Sequence, residues 1–204
     1  MKYCMMKKEI YITIASELHL PHVPRIAGAL LEASRQKGTG IAVRSHEYLE
    51  AKISEGKAVI ACSEEGEWAG FCYIESWGHN KFVANSGLIV AETFRGVGLA
   101  GEIKKRALEL SSSLFPGAKL FGLTTSLAVM KINSTLGYHP VTFSELTEDD
   151  QFWKGCETCP YYDILVRTKR EDCLCTAMVL DPAEQGRKNG SAHPGVIKVN
   201  INHT

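Results

Sequence analysis

The pattern of apolar and polar positions predicts a chain that combines strands and helices. Residues 9–15 alternate and are rich in β-branched side chains, which is typical of a strand. A helix face then follows, with apolar residues at helical spacing: Val23, Ile26, Ala27, Leu30 and Leu31. Strands are predicted over residues 9–15, 58–62, 68–76, 82–90, 119–125, 141–145 and 161–166. The helices are predicted from residue 23 to just before Gly38, from the cap Ser45 to Gly56, and over residues 99–115 and 127–136.

The order of these elements, β-α-α-β-β-β-α-β-α-β-β, predicts one mixed α/β (α+β) domain over residues 1–168. Residues 169–204 differ in character and are predicted to be a C-terminal extension, in which residues 173–180 add one edge strand. Residues 181–194 are polar and rich in Gly, Pro and Lys, which predicts a mobile segment. The alternating run over residues 196–201 is too short to assign.

The helix predicted over residues 99–115 is amphipathic. Its apolar face is expected to be buried and consists of Leu99, Ile103, Ala107, Leu110 and Leu114. Its charged face is expected to meet water and consists of Glu102, Lys105, Arg106 and Glu109.

Length and charge narrow the classes of function. With 204 residues the chain is long enough to bury a core without disulfides. Its 23 basic and 23 acidic side chains balance, so no overall field would recruit nucleic acid or an anionic membrane. No apolar run approaches the ~20 residues of a membrane span, and residues 1–8 are not followed by the apolar core of a secretory signal. We therefore expect a cytoplasmic protein that binds neither nucleic acid nor membrane.

The junction after the fourth predicted strand carries the most specific motif. The strand ends at Val90, a short polar turn follows, and Arg95-Gly96-Val97-Gly98-Leu99-Ala100 opens a helix. Glycines at such a junction let successive backbone N–H groups turn toward one point, beside the positive end of the helix dipole. The Lys-Ser/Thr ending of a nucleotidase loop and the three-glycine dinucleotide motif are both missing. The junction therefore predicts a pyrophosphate-binding site of a third kind.

This stretch resembles the signature of the GCN5-related N-acetyltransferases, Arg/Gln-x-x-Gly-x-Gly/Ala. Arg95, Gly98 and Ala100 fill its three fixed positions, and the strand before and the helix after stand where that family has them. The order of elements over residues 9–168 is also that of the family. The resemblance implies a central mixed, mostly antiparallel sheet flanked by helices. It also implies acetyl-coenzyme A or another acyl-coenzyme A as co-substrate, transfer of an acetyl or succinyl group to an amine, and no metal.

In the resembled fold, acyl-coenzyme A (acyl-CoA) enters a gap between the strand before the junction and the next strand. Its pantetheine arm would pair with backbone groups of Leu88, Ile89 and Val90, much as an added strand does. The backbone amides that would hold the pyrophosphate belong to Arg95, Gly96, Val97, Gly98, Leu99 and Ala100.

The residues that would move protons depart from the resembled family. Where the family often has a tyrosine acid, four residues before Gly137, this chain has Asn133. An asparagine can hydrogen-bond CoA but cannot supply a proton. A strand glutamate ahead of the junction is also missing, so Asn85 or Ser86 is expected to position a water. Glu75 is the candidate base, and a solvated carboxylate at a strand end is its alternative interpretation.

Two further features bear on the acceptor. Leu123-Thr124-Thr125, followed by a helix and Gly137-Tyr138, is similar to the Leu-Thr-Thr…Gly-Phe stretch of the single-domain N-acetylglutamate synthases. Arg44 stands where the fold places its acceptor wall and could grip a carboxylate, although a loop arginine is more often simply solvated. The whole chain, including residues 152–156, also resembles acetyltransferases of Bacteroidetes-type bacteria associated with arginine biosynthesis. The implied acceptor is glutamate or a similar α-amino acid, held by Arg44, Asn85 and Thr124.

Two other functions stay open at this point. A non-catalytic sensor of acyl-CoA is one, because the usual acid and base residues are missing. Acylation of a protein or peptide amine is the other. A homodimer is expected from the habit of the family and the general frequency of symmetric pairs.

Four of the seven cysteines are close in sequence, as Cys156-x-x-Cys159 and Cys173-x-Cys175. Four thiolates suit a structural zinc ion. If residues 161–166 form a strand, however, that strand separates the two pairs by ~20 Å at ~3.3 Å per residue. A turn near residues 168–170 would then set Cys159 opposite Leu180. We therefore expect reduced, unpaired thiols, with zinc as the alternative.

Overall fold

The computed structural model describes residues 8–36, 38–185 and 197–201, and its centre is one eight-stranded sheet. The strands are β1 (Lys8–Ile14), β2 (Ala58–Ser63), β3 (Trp68–Trp77), β4 (Phe82–Val90), β5 (Lys119–Thr124), β6 (His139–Val141), β7 (Thr176–Leu180) and β8 (Ile197–Ile201). Their order across the sheet is β6-β7-β5-β4-β3-β2-β1-β8. Every neighbouring pair is antiparallel except β4 and β5, which are parallel.

Seven helices accompany the sheet in the described ranges. They are α1 (Val23–Arg35), α2 (His46–Ser54), α3 (Leu99–Leu114), α4 (Leu127–Thr135), α5 (Asp150–Lys154), α6 (Tyr162–Arg167) and α7 (Pro182–Gln185). Side-chain caps fix several starts: Ser45 accepts from the Tyr48 amide at α2, and Ser126 from the Val129 amide at α4. Short 3₁₀ helices lie at Glu17–His22, Glu92–Phe94 and Phe143–Glu145. None of the helices in the described ranges is long and apolar enough to span a membrane.

The core has two layers because the strands alternate their side chains across the sheet. On β2, Val59 and Ala61 pack on the α3 side, whereas Ala58 and Ile60 pack on the side of α1 and α2. A third cluster places α5 and α6 over β5 and β7, around Phe121. Apolar burial on both faces is the main source of stability for such a sheet.

The sequence predicted the first nine elements, from β1 to α4, with boundaries that shift by only a residue or two. The region after residue 138 differs. The strand predicted over residues 141–145 lies at His139–Val141 and is followed by a 3₁₀ helix. The strand predicted over residues 161–166 is wrong, because Tyr162–Arg167 is helical. Only Leu165 of this helix is buried, and a short apolar run does not distinguish helix from strand by its periodicity.

The predicted extension also differs from the expectation. Residues 176–180 form β7, which lies between β5 and β6 and is therefore an interior strand rather than an added edge. The unassigned run at 197–201 is β8, which pairs with β1. The mobile segment predicted over residues 181–194 falls mostly on residues outside the described ranges. The prediction of a separate extension beginning at residue 169 stays a prediction.

Strand β4 contains a bulge opposite β3. Phe71 pairs with Ile89 and Tyr73 with Ser86, so three steps on β4 match two on β3. Gly87 lies in this irregularity with φ +62°, a left-handed conformation that favours glycine. A Cβ on Gly87 would stand 2.5 Å from Cε1 of Tyr73. The bulge therefore requires glycine for both its backbone and its space.

We predict that Gly87→Ala destabilises the protein by at least about 2 kcal/mol. The left-handed conformation alone costs an L residue about 1–2 kcal/mol, and the methyl group must also displace the Tyr73 ring. The matched control is Gly28→Ala, on an exposed face of α1 with nothing within 4 Å. That control is expected to be neutral or stabilising by up to about 1 kcal/mol. Denaturant unfolding of both variants measures the difference, and equal stabilities would contradict the role given to Gly87.

Candidate active site

A gap opens between the two parallel strands in the middle of the sheet. Strands β4 and β5 are joined by three residue pairs, from Phe82 with Lys119 to Ala84 with Phe121. From Asn85 onward no described strand pairs with β4 on the β5 side, while β3 still pairs with its other edge. A cavity of about 650 Å³ occupies this region, lined by β4, β5, the start of α4 and the segment that carries α5 and α6. Backbone groups along the end of β4 therefore face open space.

The glycine-rich junction lies beyond the open end of β4. Gly96 and Gly98 both have left-handed backbones, with φ +82° and φ +83°, and a Cβ on either would meet no atom within 4 Å. Gly98 caps α3, a helix of 16 residues. Within the described residues, the amides from Gly96 to Ala100 have no backbone acceptor. Five free N–H groups at a helix N-terminus form an anion-binding concavity.

Arg95 and the last strand residues connect this concavity to the gap. The Arg95 Nε donates to the Val90 carbonyl at 3.0 Å, which ties the turn to the end of β4. Ile89 and Val90 bury their side chains in the core, and Leu88 is half-buried against it. The side chains of β4 thus hold the strand in place, while its backbone borders the gap.

Arg44 also lines the cavity. Its Nε donates to the Tyr73 hydroxyl at 2.9 Å, and its Nη1 donates to the carbonyls of Val43 and Gly155 at 3.1 and 3.4 Å. The guanidinium carbon is 5.2 Å from the centre of the Tyr48 ring. No hydrogen bond joins Nη2 to any described residue. A fixed, partly buried cation thus faces the cavity.

Glu75 lines the same cavity, but both of its oxygens are engaged. Lys52 Nζ is 2.7 Å from Oε1, and the Tyr48 hydroxyl donates to Oε2. Burial, followed by the neighbouring Tyr73 and Glu75, raises the pKa of Tyr48 well above its usual range, so its hydroxyl stays protonated. Glu75 is therefore part of an ordered charge network, and its role as a base stays a prediction.

The side chain of Asn85 points into the core beneath the gap. Its Nδ2 donates to Ser111 Oγ at 2.7 Å, and its Oδ1 accepts from the Tyr138 hydroxyl at 2.9 Å. Its carbonyl accepts from Lys104 Nζ at 3.2 Å. These contacts leave the Asn85 amide little capacity to bind a substrate. Lys104 is a residue that the sequence reasoning missed, and it lines the cavity as well.

Other predicted site residues surround the same space. Ser86, half-buried, lines the cavity, and its carbonyl accepts from the Cys72 thiol at 3.3 Å. Thr124 Oγ1 accepts from the Ser126 amide at 3.0 Å, which helps to start α4. Asn133 is buried, its Oδ1 has no hydrogen-bond partner among the described residues, and its amide reaches only Met178 sulfur. An unpaired buried carbonyl oxygen fits a ligand that donates an N–H or O–H.

Solved structures share the fold of this chain, although no family model and no curated protein matches the sequence. N-acetylglutamate synthase from Neisseria gonorrhoeae, solved with coenzyme A and N-acetyl-glutamate, superposes with a TM-score of 0.61 at 18% identity, over 84% of this chain and 35% of that one. A GNAT-superfamily phosphinothricin acetyltransferase from Sinorhizobium meliloti, solved with acetyl-CoA, gives a TM-score of 0.56 at 13% identity, over 83% and 86% of the two chains. This chain has the fold of the GCN5-related N-acetyltransferases. It spans about a third of the length of the Neisseria enzyme.

The acetyltransferase fold confirms the fold class that the sequence predicted. A Mycobacterium tuberculosis protein solved in complex with CoA has the same fold, with a TM-score of 0.60 at 15% identity, over 83% of this chain and 98% of that one.

The expected burial of the α3 side chains was partly wrong. Leu114 is 46% exposed, and Arg106, expected to face water, is buried and pairs with Glu109 at 3.1 Å.

The four clustered cysteines line one wall of the cavity. Helix α6 replaces the strand that was expected to separate the two pairs, so the distance argument against their meeting is wrong. The Cys173 thiol approaches the Tyr161 carbonyl at 4.0 Å, two residues beyond Cys159. In the described ranges, no three ligating side chains are arranged so as to hold a metal ion. Burial raises the pKa of Cys156 to about 11, so this thiol is neutral and a poor nucleophile.

We predict that Glu75→Gln lowers the free energy of unfolding by about 1–3 kcal/mol, because Lys52 is left partly buried without its partner. The matched control is Glu55→Gln, which breaks the exposed pair between Glu55 and Lys57. Its effect is expected to be about 0–1 kcal/mol. Equal effects in thermal or denaturant unfolding would contradict the claim that the contacts of Glu75 stabilise the fold more than an exposed ion pair does.

Proposed function

We propose that the protein is an acyl-CoA-dependent N-acyltransferase that moves an acetyl group to the amine of a small acceptor. The observation that carries the proposal is the gap between β4 and β5, which leads to five free amides at the N-terminus of α3. A strand edge without a partner suits an extended amide-containing arm. The adjoining amides suit a pyrophosphate. CoA contains both groups, joined end to end.

The donor side of the site is built from backbone rather than from side chains. Leu88, Ile89 and Val90 would pair with the pantetheine arm, and the five amides from Gly96 to Ala100 would hold the pyrophosphate. The Arg95 amide, which was expected to join them, instead donates to the Glu92 carbonyl at 3.2 Å. Asn133, with its unpaired buried oxygen, would accept a hydrogen bond from the arm. Solved structures of this fold that contain CoA or acetyl-CoA support the assignment.

On the acceptor side, we propose an α-amino acid such as glutamate. The guanidinium of Arg44 is positioned by Tyr73 and Gly155, and its Nη2 is available for a carboxylate oxygen. The likeness to a synthase solved with N-acetyl-glutamate supports this choice at low identity. A place in arginine biosynthesis and a cytoplasmic location belong to the same proposal. A homodimer remains a prediction from the resemblance.

An acylation screen with mass-spectrometric detection tests the proposed function. The purified protein is incubated with acetyl-CoA or succinyl-CoA and a panel of amino acids, polyamines and peptides. Mass detection is preferable to thiol reagents because the cysteines of the chain would react with them. Acylated glutamate supports the full proposal, and an acylated peptide moves the acceptor to the protein-directed alternative. No product from any pair, while CoA still binds, supports a sensor instead.

We predict that Gly98→Val weakens CoA binding about tenfold or more, since a side chain there stands where the phosphates approach the backbone. Gly117→Val is the matched control, because Gly117 has nearly the same backbone, φ +81°, and equally open surroundings at the other end of α3. Both variants should lose similar stability, but only the first should lose affinity in calorimetric titration with CoA. Unchanged affinity in Gly98→Val would remove the junction from the site.

We predict that Arg44→Gln raises the KM of the amino-acid acceptor about 10- to 100-fold, which corresponds to loss of a charged hydrogen-bonding partner. CoA affinity should not change, because Arg44 lies on the acceptor wall. Arg35→Gln, an exposed residue at the end of α1, serves as the control. Arg44→Lys keeps the charge and separates loss of charge from loss of the planar fork. An unaltered acceptor KM in both Arg44 variants would exclude Arg44 from the acceptor site.

A further inference from the structure

Lys104 is a buried cation that the fold alone does not require. It lies on α3, is 2% exposed, and is surrounded by core residues. Its Nζ donates to the Asn85 carbonyl at 3.2 Å and stands 5.4 Å from the centre of the Tyr138 ring. Among the described residues, no carboxylate pairs with it. An ammonium carries three donors, and the described residues supply an acceptor for one of them only.

The position of this ammonium is the closed end of the gap. Asn85, its acceptor, is the first residue of β4 beyond the last pair with β5. A Cβ on Gly122 of β5 would stand 3.9 Å from Lys104 Nζ and also 3.9 Å from Asn133 Nδ2. The lysine thus reaches the cavity between the two strands, where its charge would interact with a ligand bound in the gap.

A purely structural lysine is a poor explanation for this arrangement. Buried charges are costly unless they are paired, and an apolar side chain of similar length would fill the same volume. Unpaired ionisable groups in a cavity are instead typical of sites that handle developing charge. In a transfer from a thioester, that charge develops on the carbonyl oxygen and then on the departing sulfur.

We propose that Lys104 is a catalytic residue that donates a proton to the sulfur of CoA as it leaves. The inference rests on the proposed function, because it needs an acyl-CoA in the gap. The acceptor nitrogen forms a bond to the thioester carbonyl carbon, and the carbon–sulfur bond breaks with its electron pair moving to sulfur. The Lys104 ammonium gives that sulfur a proton and becomes a neutral amine. The proton released by the acceptor nitrogen passes to solvent, from which Lys104 is protonated again.

This assignment supplies the acid that the sequence lacks. The tyrosine position of the resembled family is Asn133, which cannot donate a proton to a thiolate. Lys104 approaches the same point above Gly122 from the other side of the gap. The acid would therefore come from α3 instead of from α4.

The pKa values of Lys104 and of its titratable neighbours suit a proton donor. Burial lowers the pKa of Lys104 to about 8, close enough to neutral pH for the group both to donate a proton and to regain it. Its titratable neighbours are Cys72 on β3 and Tyr138 after α4. Burial raises the pKa of Cys72 to about 11 and that of Tyr138 above its usual range, so both stay neutral when Lys104 titrates. Asn85, Ser111 and Asn133 carry no charge. Lys104 is thus protonated and active below about pH 8, and this activity is lost as the pH rises through that value.

The test is the pH dependence of kcat in wild type, Lys104→Met and Lys105→Met. Lys105 is the exposed neighbour on α3 and serves as the matched control. In wild type and Lys105→Met, kcat should fall above about pH 8. In Lys104→Met, kcat should be about 100-fold lower and should no longer fall above that pH. CoA affinity, measured by calorimetry, should be retained in all three. Added ethylammonium should restore part of the activity of Lys104→Ala, whereas ethanol, a neutral molecule of nearly the same size, should not, as it would if the defect were one of packing.

Three results would overturn the inference. A Lys104→Met enzyme that keeps the kcat and the pH limb of wild type excludes the proton transfer. Failure of ethylammonium to rescue a folded Lys104→Ala variant points to a packing role. Mass-spectrometric detection of an acyl group on Lys104, formed fast enough for turnover, would make it a covalent relay instead. If wild type transfers no acyl group with any donor, the proposed function itself fails, which these variants do not test.

Discussion

The separation of β4 from β5 is the constraint on which the candidate site depends. The two strands are held by three residue pairs and then part in the middle of a sheet that is covered on both faces. Backbone groups that lose a partner inside a protein must find another acceptor or donor, or water. The separation is maintained from both sides, because β3 pairs with the other edge of β4 and β7 with the other edge of β5. The opening is therefore built into the sheet, and a ligand with its own amide groups can complete it.

The closed end of the gap is fixed by polar contacts rather than by apolar packing alone. Asn85 joins Ser111 of α3 to Tyr138 after α4, so the two helices and the strand are tied at the point where the gap begins. Lys104 adds its charge to the same point. At the open end, Arg95 binds the carbonyl of Val90 and holds the glycine turn over the strand. Ligand groups thus meet a rigid frame at both ends, which lowers the entropy lost on binding.

Local pattern predicted the parts of the site that lie within one strand, one turn and one helix. The bounds of β4 and the start of α3 were predicted closely because apolar periodicity and glycine placement are local signals. The helix over Tyr162–Arg167 was not predicted, since a run of six residues has no resolvable period. The distance argument that separated the two cysteine pairs depended on that run and was wrong with it. The place of β7 between β5 and β6 is a long-range pairing that no local pattern contains.

Lys104 shows a second limit of sequence reasoning. A lysine on a helix is expected in water, and its neighbour Lys105 meets that expectation. The sequence did contain one signal for its burial, namely the small size of the residues on the same face of the helix. Ala100, Ala107 and Ser111 leave room for a long side chain to run between them. Arg106 was misjudged in the same way, because a charged helix residue is expected in water, whereas this one is buried and pairs with Glu109.

Hydrogen exchange with and without CoA, resolved to short peptides, tests the central claim most directly. We expect CoA to slow exchange at the end of β4, over residues 86–90, and at the amides of residues 96–100. Exchange on β1 and β2, which lie across the sheet from the gap, should not change. Protection confined to the surface of α1 and α2, or no protection at saturating CoA, would contradict the assignment of the gap as the acyl-CoA site.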